Sequence, residues 1–252
     1  MIDYFYKKLG GKISYWRIID TDLNHPYFVT AADEALALSC SDLGGQNTLH
    51  FYRREPPAVS VGYFRQILKD VDQSACDELG IEIVRRTSGG GSIYTDKNQL
   101  IFSLITNHRL GSDVEDSFKN TCTGIINALA HLGIVATFKP PNDVLINGKK
   151  VSGSAQIRKK KAYLTHSTII LDLDLKILQR VLKQARSDYT SSLRAECAKM
   201  LNIQKLKDAI CEAYAKQFHI EFRAGKFTTR EHEMIQELIK TKYSTEKWNF
   251  KR

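Results

Sequence analysis

Arg85-Arg-Thr-Ser-Gly-Gly-Gly-Ser-Ile-Tyr94 sits between two runs that read as strands, 81–86 and 100–105. Three glycines in a row let the backbone take positive φ and come close to a ligand. Successive N–H groups in such a loop can surround phosphate oxygens. The two arginines ahead of it supply permanent charge and a bidentate fork for phosphate or carboxylate. A flexible hairpin with solvated arginines is the other reading of these residues, because short glycine motifs recur by chance. The loop is not a P-loop, since GxxxxGK[ST] occurs nowhere in the chain. Nor does it open a helix as a dinucleotide-binding loop does, because strand-like residues follow it.

The second informative stretch is Pro141-Asn-Asp-Val-Leu-Ile-Asn-Gly-Lys-Lys-Val-Ser-Gly-Ser-Ala155. Asn147-Gly148 between strand-like runs predicts a two-residue hairpin. Adjacent strand residues face opposite sides, so only one of Lys149 and Lys150 can face a site. Gly153, Ser154 and Ala155 are small and leave room for a ligand. An ordinary hairpin with two surface lysines is the plainer reading of this stretch taken alone.

Outward from these stretches, residues 26–41 read as a helix, and 49–61 as strand interrupted at Pro56-Pro57. Residues 112–132 read as an amphipathic helix. Ser112-x-x-Glu115 has the form of a capping box, and Val114, Phe118, Cys122, Ile125, Leu129 and Leu132 fall on one face. Gly133 is a natural stop. Lys159–Lys161 reads as an exposed turn before a strand at 162–173. Two further helices are predicted at 203–218 and 228–242, the second opening with Thr228-x-x-Glu231. Interleaved helices, strands and hairpins predict an α+β fold, a mixed β-sheet flanked by helices. No repeat or flexible linker divides the chain. We therefore expect one domain over 1–252, with the helices of about 200–245 packed on it.

The chain has 252 residues, 42% hydrophobic and 26% charged, an ordinary globular composition that excludes a disordered tail. Lys and Arg number 37 against 28 Asp and Glu, a net charge of +9. That excess suits an acidic partner. No nucleic-acid motif appears, so nucleic acid is not the expected one. No apolar run is long enough to span a membrane, and the first residues lack a signal peptide's apolar core. Five cysteines (Cys40, Cys76, Cys122, Cys197, Cys211) with no CxxC spacing argue against a disulfide scaffold or a zinc site. A reducing, cytoplasmic compartment is expected.

Taken together, RRTSGGGSIY, NDVLINGKKVSGSAQ and the later THSTIILDLDL resemble the lipoate–protein ligase A family and its lipoyl- and octanoyl-transferase relatives. Phe51–Phe64 and the helix carrying Asp33-Glu34-Ala35-Leu36 extend the similarity to about residues 15–250. The resemblance implies a biotin/lipoate protein ligase-like fold. It also implies activation of lipoate by ATP to lipoyl-AMP, then transfer to a lysine of a lipoyl carrier domain. Such carriers are the 2-oxoacid dehydrogenase E2 or glycine cleavage H-type proteins. They are often acidic, which gives the +9 charge a role in steering.

By this similarity Lys150 is the catalytic lysine, placed between the acyl carboxylate and the α-phosphate, where an ammonium offsets two anions. Arg86 and Gly91-Ser92-Ile93-Tyr94 match nucleotide-binding positions, with Gly89 and Gly90 in the same loop and Arg85 assisting or orienting it. Asn142 and Asp143 match a pair near the phosphates, with Asp143 the expected Mg²⁺ ligand. Gly153 and Ala155 match a tight wall beside the ligand. His166 matches a histidine on the following strand, a ligand contact or equally a structural histidine. Leu49, Val61 and Ile93 are candidates for an apolar tunnel, although each also reads as plain core.

The chain departs from the pattern at Thr95, where many ligases carry His, and at Ser167, where Gly commonly follows the histidine. It ends shortly after Trp248-Asn249, where two-domain ligases continue into an accessory domain. The catalytic domain alone is therefore expected, with the accessory part supplied as a separate subunit. The competing reading is an octanoyl- or lipoyl-transferase working without ATP through a cysteine acyl-enzyme. In that group the cysteine lies shortly before the lysine hairpin, and here Val135–Pro141 contains none. A biotin ligase fits less well, because its phosphate-binding signature differs.

Overall fold

The computed structural model describes residues 14–42, 45–197 and 201–251. Strand β1 (Ser14–Asn24) leads into helix α1 (Pro26–Asp42). Strands β2 (Thr48–Arg54) and β3 (Ala58–Val61) lie either side of Pro56-Pro57, where prolines cannot donate to a ladder. Short helices α2 (Ile67–Asp70) and α3 (Gln73–Glu78) precede β4 (Glu82–Arg85), the glycine loop, β5 (Ile93–Thr95) and β6 (Gln99–Thr106). After α4 (Val114–His131) come β7 (Thr137–Lys139), β8 (Asp143–Ile146), β9 (Lys149–Lys159) and β10 (Ala162–Ile170). The chain continues through α5 (Leu175–Val181), α6 (Leu193–Cys197), α7 (Ile203–Phe218), β11 (Ile220–Ala224) and α8 (Thr229–Leu238). A π turn (Ile239–Tyr243) and α9 (Glu246–Asn249) close it.

Eight strands form the main sheet in the order β11-β1-β2-β6-β10-β9-β8-β7. β1 is parallel to both its neighbours, and the pairs from β2 to β7 are antiparallel. A second sheet, β4-β3-β5, carries the glycine loop. The expectation of a mixed sheet flanked by helices is borne out.

β6 shows how the layers form. All eight of its residues are buried. Leu100, Phe102 and Leu104 pack with Ile125 and Leu129 of α4 and Ile210 and Tyr214 of α7 in the main core. The alternate residues, Gln99, Ile101, Ser103 and Ile105, face the other way. There they meet α1 and an open cleft.

The hairpin at Asn147-Gly148 forms as predicted. Both residues have positive φ, +50° and +78°, as a type I′ turn requires. α7 spans the predicted residues, and Thr228 and Glu231 make the full capping box at the start of α8. Two boundary expectations need correction. α4 is capped by Asp113, whose carboxylate accepts from the Asp116 N–H at 2.8 Å. Asp caps at least as well as Ser, and it displaces the expected Ser112–Glu115 box by one residue. Val114 then starts the helix facing solvent at 51% exposure, off the apolar face. The strand predicted to reach residue 173 ends at Ile170.

Candidate active site

A cleft of about 350 Å³ opens between the main sheet and the small sheet. Its floor follows from strand register. Tyr52 pairs with Ile101, Ile101 with Thr168, Thr168 with Gly153, and Gly153 with Asp143. All five line the cleft. His166 and Ala155 form the next row on the same face, opposite each other. The roof comes from Gly90, Gly91, Ser92, Ile93 and Tyr94, and the rim from Arg186, Tyr189 and Thr190.

Lys150 reaches over the floor at one end. Its Nζ lies 2.6 Å from Asp143 Oδ1, and Tyr189 donates to Asp143 Oδ2 at 3.0 Å. The lysine's alkyl end passes directly over Gly153, where a side chain would collide with it. Its backbone is clamped by the 186–191 segment. Lys150 N–H donates to Tyr189 O, and Ser191 N–H donates to Lys150 O, both at 2.8 Å. Lys149 points elsewhere and donates to Asp188 O outside the cleft. The expectation that the two lysines part company holds in the geometry. Asn142 also lines the cleft, its side-chain amide donating to Ser154 O.

Arg86 holds the glycine loop rather than reaching out of it. Its Nη2 donates to Gly89 O and Gly91 O, both at 2.7 Å, its Nη1 to Ser60 O at 2.7 Å, and its Nε to Ser88 Oγ at 3.1 Å. Burial, with Arg54 nearby, pulls the Arg86 pKa down to about 10, so the group stays charged. Gly90 has φ +88°, which favours glycine. Ser92 donates to Asp70, which Arg65 also grips at 2.5 and 2.6 Å.

Arg85 turns away from the cleft, so it is not the cofactor contact it was grouped with; it supports the loop from beneath, the orienting role expected of it. Its fully buried side chain donates to the carbonyls of Gly62, Arg65 and Asn249. Its backbone is held by the C-terminal segment. Trp248 Nε1–H donates to Arg85 O at 2.8 Å, and Arg85 N–H donates to Asn249 Oδ1 at 3.0 Å. Gly89 also stays off the cleft wall, its carbonyl spent on Arg86. Of the tunnel candidates only Ile93 lines the cleft; Leu49 and Val61 sit fully buried in two separate cores.

His166 belongs to a buried relay that sequence reasoning did not find. Asp33, on α1, accepts from His50 Nδ1 at 3.0 Å, Tyr52 OH at 2.9 Å and Ser103 Oγ at 2.7 Å. His166 Nδ1 lies 3.7 Å from the same carboxylate, and its Nε2 is 2.6 Å from Ser88 Oγ. Arg86 Nε also donates to Ser88 Oγ; with the ring proton on Nδ1, toward Asp33, Nε2 accepts from the Ser88 hydroxyl. Burial opposes the charge on Asp33, but hydrogen bonds from His166 and His50 outweigh it and lower its pKa. Burial lowers the His166 pKa against the pull of Asp33.

A stability prediction follows from His166. The unfolded chain takes up this proton near pH 6.5, before the folded protein does. Stability from the neutral ring is full above that pH and is lost as pH falls below it, at up to ~1.4 kcal/mol per unit. Burial lowers His108 as well, and it adds to the same slope. The melting temperature should drop between pH 7 and pH 5, and His166→Asn should flatten that drop. An unchanged slope in the variant removes His166 from the account.

A family model described as the lipoyl protein ligase A/B catalytic domain matches residues 25–215. The chain belongs to this family. Among curated lipoyl ligase relatives, the octanoyltransferase LipM of Geobacillus kaustophilus is 28% identical, over 94% of this chain and 98% of its own. A solved bipartite lipoate protein ligase of Thermoplasma acidophilum, described with its E2 lipoyl domain, superposes with a TM-score of 0.85. It is 29% identical and covers 95% of this chain and 97% of its own. A lipoate-protein ligase A bound with ATP superposes with a TM-score of 0.83 at 28% identity, covering 94% and 98%.

Lipoyl ligase family enzymes thus include both ligases and acyltransferases, and thiols bear on the difference. None of the five cysteines lines the cleft. Burial pushes the thiols of Cys40 and Cys76 up to about 11, and those of Cys122 and Cys211 to about 12. Such thiols are protonated and inert at neutral pH. Cys122, closest to the site, lies under the lysine hairpin, fully buried in the main core.

Proposed function

We propose that the chain is an ATP-dependent lipoate–protein ligase that forms lipoyl-AMP and passes the lipoyl group to a carrier-domain lysine. One observation carries this reading: the cleft presents an ammonium, Lys150, beside Asn142 and Asp143, and no thiol. In the first step a lipoate carboxylate oxygen bonds to the α-phosphorus and pyrophosphate leaves. Lys150 offsets the repulsion of the two anions and the charge that grows as they meet. The loop held by Arg86 offers backbone N–H groups to phosphate oxygens. In the second step the carrier amine bonds to the acyl carbon and AMP leaves. Holding both groups in one cleft supplies much of the rate.

Among the described residues no three His, Cys, Asp or Glu side chains converge as a metal cage. One carboxylate suits magnesium, which keeps its waters and takes phosphate oxygens. Asp143 would hold that ion, which offsets phosphate charge when bound. Asn142 would help orient the nucleotide.

An acidic lipoyl carrier domain fits the +9 charge. We propose a separate accessory subunit for activation, by analogy with the bipartite archaeal ligase. We also propose a single catalytic domain over 1–252 working in the cytoplasm, with neither nucleic acid nor membrane as partner. Among the described residues no helix is long and apolar enough to cross a membrane.

The second reading, an octanoyl- or lipoyl-transferase without ATP, is favoured by the similarity to LipM. Mass spectrometry of a lipoyl domain separates them. The domain is incubated with the protein, Mg²⁺ and lipoate, with and without ATP, with synthetic lipoyl-AMP, and with octanoyl-carrier lacking ATP. A lipoyl shift with ATP, or with lipoyl-AMP alone, supports the ligase; the latter places activation in a partner. A shift only from octanoyl-carrier overturns it. A variant with all five cysteines replaced by alanine should keep transfer within about threefold, since no thiol takes part. Complete loss in a folded variant favours the acyl-enzyme.

A further inference from the structure

The cleft floor ends, opposite Lys150, at a buried cation. Arg54 is the last residue of β2, on the same face as Tyr52, 4% exposed and lining the cleft. Three strand spacings separate β2 from β9, about 14 Å across the floor. Among the described residues no carboxylate lies within ion-pair distance of Arg54. Its Nη1 donates to Thr95 Oγ1 at 3.0 Å and its Nη2 weakly to Thr30 Oγ1 at 3.4 Å. Its Nε–H is buried and meets no acceptor. Arg86, also buried, spends its donors on the loop. Arg54 is thus the underused donor set at this end of the site. Ile101 and Ile93 line the cleft between the two ends, an apolar middle for a chain.

We propose that Arg54 is a specificity-determining residue that reads the far end of the acyl group, favouring a terminus with lone pairs, such as a dithiolane, over a plain alkyl end. This rests on the ligase reading for the placement of the carboxyl end at Lys150. A methyl end leaves the buried Nε–H as unmet as it already is, whereas a sulfur lone pair gives it an acceptor, and satisfying a buried donor is favourable. Sulfur is a weak acceptor but a polarisable one. The preference should therefore be moderate, about tenfold, rather than the far larger ratio of a strong hydrogen bond.

The test measures Kd for lipoate and for octanoate by calorimetry on the wild type, Arg54→Met and Arg54→Lys. It also measures the product ratio when lipoyl-AMP and octanoyl-AMP compete for one lipoyl domain. The wild type should favour lipoate about tenfold in both. In Arg54→Met the ratio should fall to within about threefold of unity, mainly through weaker lipoate binding. Arg54→Lys keeps the charge with fewer donors, and it should lie between; it carries the test if the Met variant fails to fold. Equal wild-type affinities, or an unchanged ratio in both folded variants, overturn the proposal. Failure of the wild type to transfer either adenylate overturns the ligase reading instead, while the two Kd values still judge Arg54.

Discussion

Lys150→Ala should abolish acyl transfer, by about a thousandfold or more, whereas Lys149→Ala should retain most of it. The two residues are adjacent, equally charged and on one strand, so charge alone cannot separate them. Facing separates them. Lys150 Nζ lies in the cleft against Asp143, and Lys149 donates to Asp188 O outside the cleft lining. A preorganised cation acting on developing charge commonly accounts for a factor of about a hundred to a thousand. Here it must also offset two anions that repel before any bond forms. Folding should survive the change, because the clamp on Lys150 from Tyr189 and Ser191 uses only its backbone. Rates with lipoyl domain and either ATP or lipoyl-AMP check this. Equal losses in the two variants would mean that strand facing does not select the catalytic lysine.

The second large effect is expected from one added methyl group. A Cβ at Gly153 would stand 2.7 Å from both Cε and Nζ of Lys150. Those atoms are the free end of a flexible side chain, so the lysine moves and the strand does not. Gly153 is not among the glycines with positive φ, so alanine suits its backbone. Gly→Ala at a compatible position tends to stabilise by ~0.4–1 kcal/mol through the unfolded chain. The melting temperature of Gly153→Ala should therefore hold or rise slightly. Transfer should fall about a hundredfold, the usual cost of misplacing a reacting group by roughly an ångström. Activity near wild type would show that the pose of Lys150 over Gly153 is not the working one.

Local chemistry made much of the fold legible. Asn147-Gly148 specified its own turn, and the apolar spacing of Ile203, Leu206, Ile210 and Tyr214 specified α7. Ser112 and Asp113, two good capping residues, stand side by side, and only the structure shows which side chain is used. The site was half legible. Its motif residues lie in two short stretches, where spacing carries information. Asp33, Arg54 and Asp70 lie on α1, β2 and α2, outside the two motif stretches, and nothing in their local sequence states their roles. They meet the motifs only through strand register and the fold of the small sheet. Arg85 and Arg86 are chemically identical neighbours, and composition alone does not separate them. One-residue alternation sends the first toward Asn249 and the second under the loop.

The bonds from Trp248 and Asn249 to the backbone of Arg85 make α9 a handle on the glycine loop. Pulling α9 by an ångström moves the strand end from which the loop springs. Any load applied to α9 is therefore felt at the cleft. Replacing Trp248 and Asn249 would act as a remote inhibitor, loosening the loop without touching any residue in it.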